Sequence, residues 1–262
     1  MAFVQRDWNA TVIRAAMGVE APGGYVGDPG GNTAKVIAVA DAAIANGMYV
    51  IVDWHSHLAH DHEAAAVRFF ESMAQRYGAT PNVIYEIYNE PLDDADWSST
   101  INPYALRVIA AIRAIDPDNL IVVGTQTWSQ DVDKAAADPI RDHINIAYAL
   151  HFYAGSHGRS LRERAQRALD SGIALFVTEW GTVSARGDGR VATTETARWM
   201  EFLRLNRLSH CWALNDKQEG ASALLPGAPA TGPWPESALT ASGKQARQII
   251  QSWDMRDYDG AQ

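Results

Sequence analysis

The sequence contains one cysteine, Cys211, and no apolar run long enough to cross a membrane. A single cysteine cannot form an internal disulfide, so cysteine content leaves the redox compartment undecided, and we expect Cys211 to be a small apolar residue in a buried strand. A membrane helix needs about 20 mainly apolar residues. The N-terminus, Met-Ala-Phe-Val-Gln-Arg-Asp, also lacks the basic-then-apolar order of a signal peptide. We therefore expect no membrane contact and no export signal in the sequence.

Basic residues are scarce as well. The 22 Lys and Arg are outnumbered by 31 Asp and Glu, which gives a net charge of -9. Nucleic acid is disfavoured as a partner, because binding it requires clustered positive charge that neutralises phosphates. Hydrophobic content of 47% and charged content of 20% are typical of a globular protein. At this length we expect a single domain over residues 1–262.

Short apolar runs alternate with segments of helical period, a pattern typical of βα units and a parallel sheet. The predicted strands are 12–17, 48–54, 83–89, 120–125, 144–153, 174–180 and 211–215. The predicted helices are 33–46, 63–77, 102–115, 131–137, 160–171 and 193–206, and the Gly- and Pro-rich segments 21–32 and 226–235 are predicted to be surface loops. We expect an α/β fold of the (β/α)8 TIM-barrel type, although only seven strands can be counted. An open doubly wound sheet is the alternative, weakened by the absence of a Gly-rich phosphate turn.

Polar and aromatic residues cluster where these strands end, which is where barrel enzymes place their active sites. Two of them are glutamates: Glu90 follows Asn89 and precedes Pro91, and Glu179 lies in Thr-Glu-Trp-Gly. Glycoside hydrolysis requires two carboxylates that flank the bond, about 5 to 5.5 Å apart when one attacks the anomeric carbon. The nine Trp and nine Tyr are compatible with sugar binding, since flat amphipathic rings stack on sugar faces, although they also serve in ordinary cores.

Several motifs resemble endoglucanases of glycoside hydrolase family 5, in the bacterial cellulase branch, in the same order from about residue 6 to the end. They are RAAM at 14–17, DWH at 53–55, YEIYNEP at 85–91, GTQTWSQD at 124–131, HFYAGSHG at 151–158, TEWG at 178–181 and the stretch 212–219. The resemblance implies a retaining endo-β-1,4-glucanase, a cellulase acting on β-glucan. Glu90 would be the acid/base and Glu179 the nucleophile. No cofactor and no metal are implied, because two carboxylates suffice for the reaction.

The resemblance also implies roles for residues around the two glutamates. Those that match cleavage-subsite positions are Arg14, His55, Asn89, His151, Tyr153 and Trp212. Asn89 would hold the sugar 2-hydroxyl, while Arg14 and Tyr153 would hydrogen-bond Glu179 and keep it ionised. His151 would orient or tune Glu90. Trp128 and Trp212 would stack on sugar rings, and Lys217 and Glu219 would contact a more distant glucose.

The family's first strand and helix have no counterpart before Phe3, and Gly18 stands where the family usually has Tyr. These departures place the distant minus subsites in doubt more than the chemistry. A missing strand would leave strands 12–17 and 211–215 with unpaired edges. We therefore expect a homo-oligomer in which a neighbour covers the gap, with a poorly stable monomer as the alternative.

Three other functions stay open from the sequence. His55, His57, His60 and His62 form a dense cluster that would suit a metal-dependent hydrolase, although an exposed loop explains them more simply. A noncatalytic sugar-binding relic is the second. The third is another β-glycanase acting on mannan, xylan or mixed-linkage glucan, since small loop changes alter substrate choice on this scaffold.

By analogy with enzymes that act on polymers, we expect the protein to be secreted.

Overall fold

The computed structural model describes residues 1–213 and 222–253, which form parts of two compact units. Unit 1 comprises Met1–Thr11, Phe152–Arg162 and Val177–Gln262. Unit 2 comprises Val12–His151 and Glu163–Phe176. The chain passes between the units four times, after residues 11, 151, 162 and 176.

Unit 2 contains parallel strands that pair in chain order. They are β1 (Val12–Gly18), β2 (Tyr49–His55), β3 (Val83–Glu86), β4 (Ile121–Val123) and the first part of β5 (Ile146–Tyr153). The β2 residues Val50, Ile51 and Val52 have no solvent exposure. Such continuous β-branched runs are expected in a parallel sheet whose two faces are both covered. The start of β6 (Leu175–Gly181) continues this order, since the Tyr148 N–H bonds to the Ala174 carbonyl.

The helices of unit 2 connect these strands. They are α2 (Pro29–Ile44), α3 (Glu63–Tyr77), α4 (Asn102–Arg113), the single turn α5 (Gln126–Ser129), α6 (Val132–Ala137) and most of α7 (Arg159–Asp170). A 3₁₀ turn, Ala59–His62, precedes α3, and a π-helical turn, Trp97–Ile101, leads into α4. Within the described residues, no helix is both long enough and apolar enough to cross a bilayer.

Unit 1 contains the end of β5, most of β6 and the short strand β7 (His210–Trp212). Strands β6 and β7 are parallel, with Val177 beside His210 and Trp180 beside Trp212. The Ala154 N–H bonds to the Gly181 carbonyl just beyond β5. The helices of this unit are α1 (Ala2–Trp8), α8 (Thr193–Leu205) and α9 (Ala241–Gln251), and a 3₁₀ turn covers Glu236–Ala238. Arg247 of α9 binds Asp7 of α1 at 2.7 Å, which joins the two terminal helices.

The structure confirms the seven predicted strands, with small shifts in their bounds, and the predicted order of helices. It corrects the predicted loop at 21–32, because α2 begins at Pro29. Asp28 accepts a hydrogen bond from the Gly31 N–H, and proline at the first helical position fits the unpaired end of a helix. Helices α1 and α9 and the single turn α5 were not predicted. Residues 226–235 contain no helix or strand, as expected.

Candidate active site

Glu90 lies four residues after the end of β3 in unit 2, and its side chain is 15% exposed. His151 of β5 is buried, and its Nδ1 lies 2.9 Å from Glu90 Oε1. The backbone is held from the segment after β2: the Glu90 N–H bonds to the Ser56 carbonyl, and His57 Nδ1 donates to the Glu90 carbonyl at 2.8 Å. Glu90 is therefore fixed at both its backbone and its carboxylate.

A buried charge network lies beside Glu90 in unit 2. Arg14 of β1 donates from Nε to Glu86 at 2.6 Å, and its Nη2 lies 3.0 Å from Asp53. His55 Nδ1 lies 2.8 Å from the same Asp53 oxygen. The parallel register brings Asp53 of β2 beside Glu86 of β3. One guanidinium therefore lies between two carboxylates whose side chains have no solvent exposure.

The two carboxylates of this network titrate differently. Burial disfavours the charged form of both, but for Glu86 the Arg14 guanidinium and His151 outweigh burial and hold its pKa below the usual value. For Asp53, burial prevails over the attraction of Arg14, and the pKa is raised. Glu86 is the better-paired anion and stays ionised, and its charge further disfavours ionisation of Asp53 beside it.

Asn89 is almost fully buried, and its Oδ1 accepts a hydrogen bond from Arg14 Nη2 at 2.6 Å. This bond fixes which end of the amide is the oxygen and leaves the NH2 group as the donor. A donor next to Glu90 is the group that the predicted contact with a sugar hydroxyl requires.

Glu179 lies on β6 in unit 1, and its side chain is partly buried. The Tyr153 hydroxyl donates to Glu179 Oε1 at 2.6 Å, as predicted. Tyr153 is positioned in turn by its own N–H, which donates to His157 Nδ1 at 2.9 Å. Glycine is required at position 181, because a Cβ there would lie 2.2 Å from the Tyr153 ring. The predicted contact between Arg14 and Glu179 stays a prediction.

Trp128 lies at an unusual turn after β4. Thr127, Trp128 and Ser129 all have left-handed backbone conformations, with φ of 60°, 54° and 56°. The Trp128 N–H bonds to the Pro91 carbonyl at 2.8 Å, and Ser129 Oγ donates to the Asn89 carbonyl at 2.7 Å. The turn therefore presents a tryptophan that is 39% exposed next to the Asn89–Pro91 segment.

Trp212 is placed differently from the exposed tryptophan at 128. It is half-buried in unit 1 and stacks on Trp8 at 6.1 Å between ring centroids, within a small apolar cluster. This environment supports core packing for at least one face of the indole. The remaining two predicted contacts, Lys217 and Glu219, lie outside the described residues.

Three of the four clustered histidines have separate partners. His55 binds Asp53, His57 binds the Glu90 carbonyl, and His60 Nδ1 lies 2.8 Å from the Tyr88 hydroxyl. In the described part of the chain, these histidines do not gather three ligand atoms for a metal ion. The cluster is thus divided between the active-site network and the surface.

Sequence reasoning did not assign a role to Asp53 or Glu86. The available signal was a charged residue inside an otherwise apolar strand, Val-Ile-Val-Asp-Trp and Val-Ile-Tyr-Glu. A buried charge requires a partner, so such a residue predicts an ion pair or a functional network.

Comparison with known proteins shows the family of the chain. Residues 1–219 match the model of the family described as cellulase (glycosyl hydrolase family 5). The chain belongs to glycosyl hydrolase family 5. It is 59% identical over 254 residues to endoglucanase Z of Dickeya dadantii, and the match covers 97% of this chain and 57% of that protein. It is 47% identical to an endoglucanase of Clostridium saccharobutylicum, over 95% of this chain and 56% of that protein.

Solved structures support the same family 5 fold. A protein structure from Cytophaga hutchinsonii has a TM-score of 0.94 at 50% identity and covers 99% of this chain and 84% of its own. The catalytic domain of Thermobifida fusca endoglucanase Cel5A has a TM-score of 0.90 at 36% identity, and the match covers 96% of this chain and 85% of that domain's chain. The (β/α)8 TIM-barrel fold class is thus confirmed. The chain spans a little over half the length of the curated relatives compared, 57% and 56%.

Proposed function

We propose that residues 1–262 form the catalytic domain of a retaining endo-β-1,4-glucanase, with Glu90 as acid/base and Glu179 as nucleophile. The observation that carries this proposal is that the two glutamates have different partners. Glu90 meets the His151 imidazole, whereas Glu179 accepts a hydrogen bond from the Tyr153 hydroxyl. Two carboxylates in different environments are what the division of labour between acid and nucleophile requires.

In the first step, a Glu179 oxygen bonds to the anomeric carbon while the bond to the leaving sugar breaks, and Glu90 gives its proton to the leaving oxygen. In the second step, water attacks the same carbon, its proton passes to Glu90, and Glu179 leaves as a carboxylate. The Tyr153 hydroxyl stabilises the ionised nucleophile before attack and after release.

The other predicted residues take supporting roles in this proposal. Arg14 fixes the Asn89 amide so that its NH2 group can hold the sugar 2-hydroxyl, and His55 extends the Asp53 end of the network. Trp128 offers an exposed indole face to a sugar ring. Trp212, Lys217 and Glu219 remain proposed sugar contacts.

The substrate follows from the relatives, since the compared curated relatives are named endoglucanases. We propose a β-1,4-glucan as substrate, cleaved outside the cell because the polymer is too large to enter it.

The family's first βα unit is proposed to have no counterpart in residues 1–11, which contain α1. We also propose a homo-oligomer, because β1 pairs only with β2 among the strands described in unit 2. Light scattering that gives a monomer mass would refute the oligomer.

The test measures new reducing ends on carboxymethylcellulose, barley β-glucan, xylan and mannan. We expect activity on the glucans, lost by about 10³-fold or more in Glu179→Gln and Glu90→Gln. The control is Glu201→Gln, which alters an exposed carboxylate on α8 and should leave activity unchanged. Folded wild-type protein that cleaves none of the four polymers would refute the glycanase proposal in favour of a sugar-binding relic.

Two further measurements identify the mechanism and test the metal alternative. Proton NMR of the first product should show the β anomer, because two displacements retain configuration. Azide should restore turnover to Glu179→Ala and Glu90→Ala on a substrate with an activated leaving group, giving α- and β-glycosyl azide respectively. A chelator should leave the wild-type rate unchanged. Loss of activity that added metal restores would instead support the histidine cluster as a metal site.

A further inference from the structure

Glu86 is a buried carboxylate that the proposed chemistry does not use directly. It is the last residue of β3, and its side chain has no solvent exposure. A carboxylate in such a place is retained only with strong partners. Arg14 supplies one of them at 2.6 Å, and the pairing keeps Glu86 ionised.

The second partner of Glu86 is the imidazole that faces Glu90. His151 Nε2 lies 3.8 Å from Glu86 Oε1, while its Nδ1 lies 2.9 Å from Glu90 Oε1. The His151 side chain is only 2% exposed. Water therefore has little access to the ring, and the charges on its two sides decide where its protons reside.

We infer that Glu86 is a positioning residue that keeps His151 doubly protonated, so that the imidazolium donates from Nδ1 to Glu90 throughout the reaction. This inference rests on the proposed acid/base role of Glu90. An ionised carboxylate can only accept hydrogen bonds, so it favours a proton on the nitrogen that faces it. When Nε2 carries that proton, a second proton on Nδ1 can be donated in a hydrogen bond to Glu90 Oε1. The other Glu90 oxygen, Oε2, then carries the proton that is transferred to the leaving sugar.

The charges of the network are consistent with an imidazolium. Glu86 stays ionised beside Arg14, so a protonated His151 faces a fixed negative charge while Glu90 carries its proton. After Glu90 gives up that proton, its new negative charge faces the His151 cation. A fixed cation beside the developing carboxylate assists proton donation.

Other titratable or charged groups of unit 2 also face this network. They are Arg14 on β1, Asp53 and His55 on β2, and His57 in the segment after β2, 3.9 Å from Glu90 Oε2. Asp53 provides a matched comparison with Glu86, since it is equally buried and binds the same arginine. Its histidine partner is His55.

The test compares Glu86→Gln, Glu86→Asp and Asp53→Asn in the full chain. Without the negative charge of Glu86, His151 and Glu90 should lose their protons at lower pH. The alkaline limb of the pH profile of kcat/KM in Glu86→Gln should therefore shift to lower pH by about one unit. Its kcat should fall about tenfold. Glu86→Asp keeps the charge and should keep the wild-type limb, and Asp53→Asn should shift the limb less. An unchanged limb in Glu86→Gln, or a larger shift in Asp53→Asn than in Glu86→Gln, would overturn the inference.

A second readout does not depend on activity. ¹⁵N NMR of the His151 ring, assigned through the peaks missing in His151→Gln, should show protons on both nitrogens at neutral pH in the wild type and fewer in Glu86→Gln. A neutral His151 in the wild type would overturn the inference even if the protein is a glucanase. Conversely, an imidazolium in a protein with no glycanase activity would refute the proposed function while leaving the Glu86–His151 relationship intact.

Discussion

The Tyr153 hydroxyl lies 2.6 Å from Oε1 of Glu179, a distance typical of a hydrogen bond to an ionised carboxylate. Tyr153→Phe removes this donor and keeps the ring. A hydrogen bond to a charged group contributes roughly 2 kcal/mol, so we expect kcat/KM on soluble glucan to fall about 30-fold. The control is Tyr148→Phe on the same strand, whose hydroxyl accepts from the Ile140 N–H. This control should lower stability and leave the rate of the folded enzyme unchanged, and equal rate losses in both variants would contradict the prediction.

Gly181 supports the same contact from the neighbouring strand. A methyl group at this position would overlap the Tyr153 ring, so Gly181→Ala must displace the phenol from Glu179. We expect a loss of kcat/KM comparable to that of Tyr153→Phe. The matched control is Gly18→Ala, because a Cβ at Gly18 meets no atom within 4 Å. Kinetics of both variants test the expectation.

A double mutant distinguishes this steric effect from general damage. If Gly181→Ala acts through the Tyr153 hydroxyl, it should reduce kcat/KM much less in a Tyr153→Phe background than in the wild type. Additive losses would show that the methyl group harms the enzyme by another route.

The strands could be predicted from the sequence because their signal is local. The runs that form β2 and β6 are short, apolar and rich in branched residues, and burial in a parallel sheet requires little else. The proposed roles of Glu90 and Glu179 rest on strand-end placement and the family motifs. Helix α9 was missed because its first turn, Ala-Ser-Gly-Lys, has the composition of a loop.

The network around Glu86 could not be predicted because its partners are distant in the chain. Arg14 lies 72 residues before Glu86, and His151 lies on another strand. Only the parallel register of the sheet brings them together. The left-handed turn at Thr127–Ser129 was also beyond sequence reasoning, because threonine, tryptophan and serine all disfavour this conformation.

The exposure and the left-handed backbone of Trp128 predict how its substitution affects both substrate binding and stability. Trp128→Ala removes the exposed indole, so we expect KM for soluble glucan to rise about tenfold with kcat little changed. Trp128→Gly should bind as poorly as the alanine variant. It should nevertheless be more stable by about 1 kcal/mol, since glycine adopts a positive φ without a steric cost. Urea unfolding compares the two, and an alanine variant at least as stable as the glycine variant would argue against strain at this position.

We expect the stability of unit 1 to depend on pH through His210. Its Nδ1 accepts a hydrogen bond from the Trp180 indole at 3.0 Å, and the Trp253 ring packs edge-on at 4.2 Å between centroids. Burial, with a smaller contribution from Arg204, lowers the pKa of His210 to about 4. The folded protein therefore holds this histidine neutral at a pH where the unfolded chain, with a pKa near 6.5, binds a proton.

Because the unfolded state binds more protons between pH 6.5 and pH 4, the contribution of His210 is complete above that range and is lost as the pH falls through it. The full loss is roughly 3 kcal/mol. In His210→Gln, the side-chain oxygen can still accept from Trp180, but nothing titrates at this position. Other groups titrate equally in both proteins, so the difference between their free energies of unfolding should shrink between pH 7 and pH 4.5. Urea unfolding at several pH values measures this difference, and a constant difference would mean that His210 is charged, or solvated, in the folded protein.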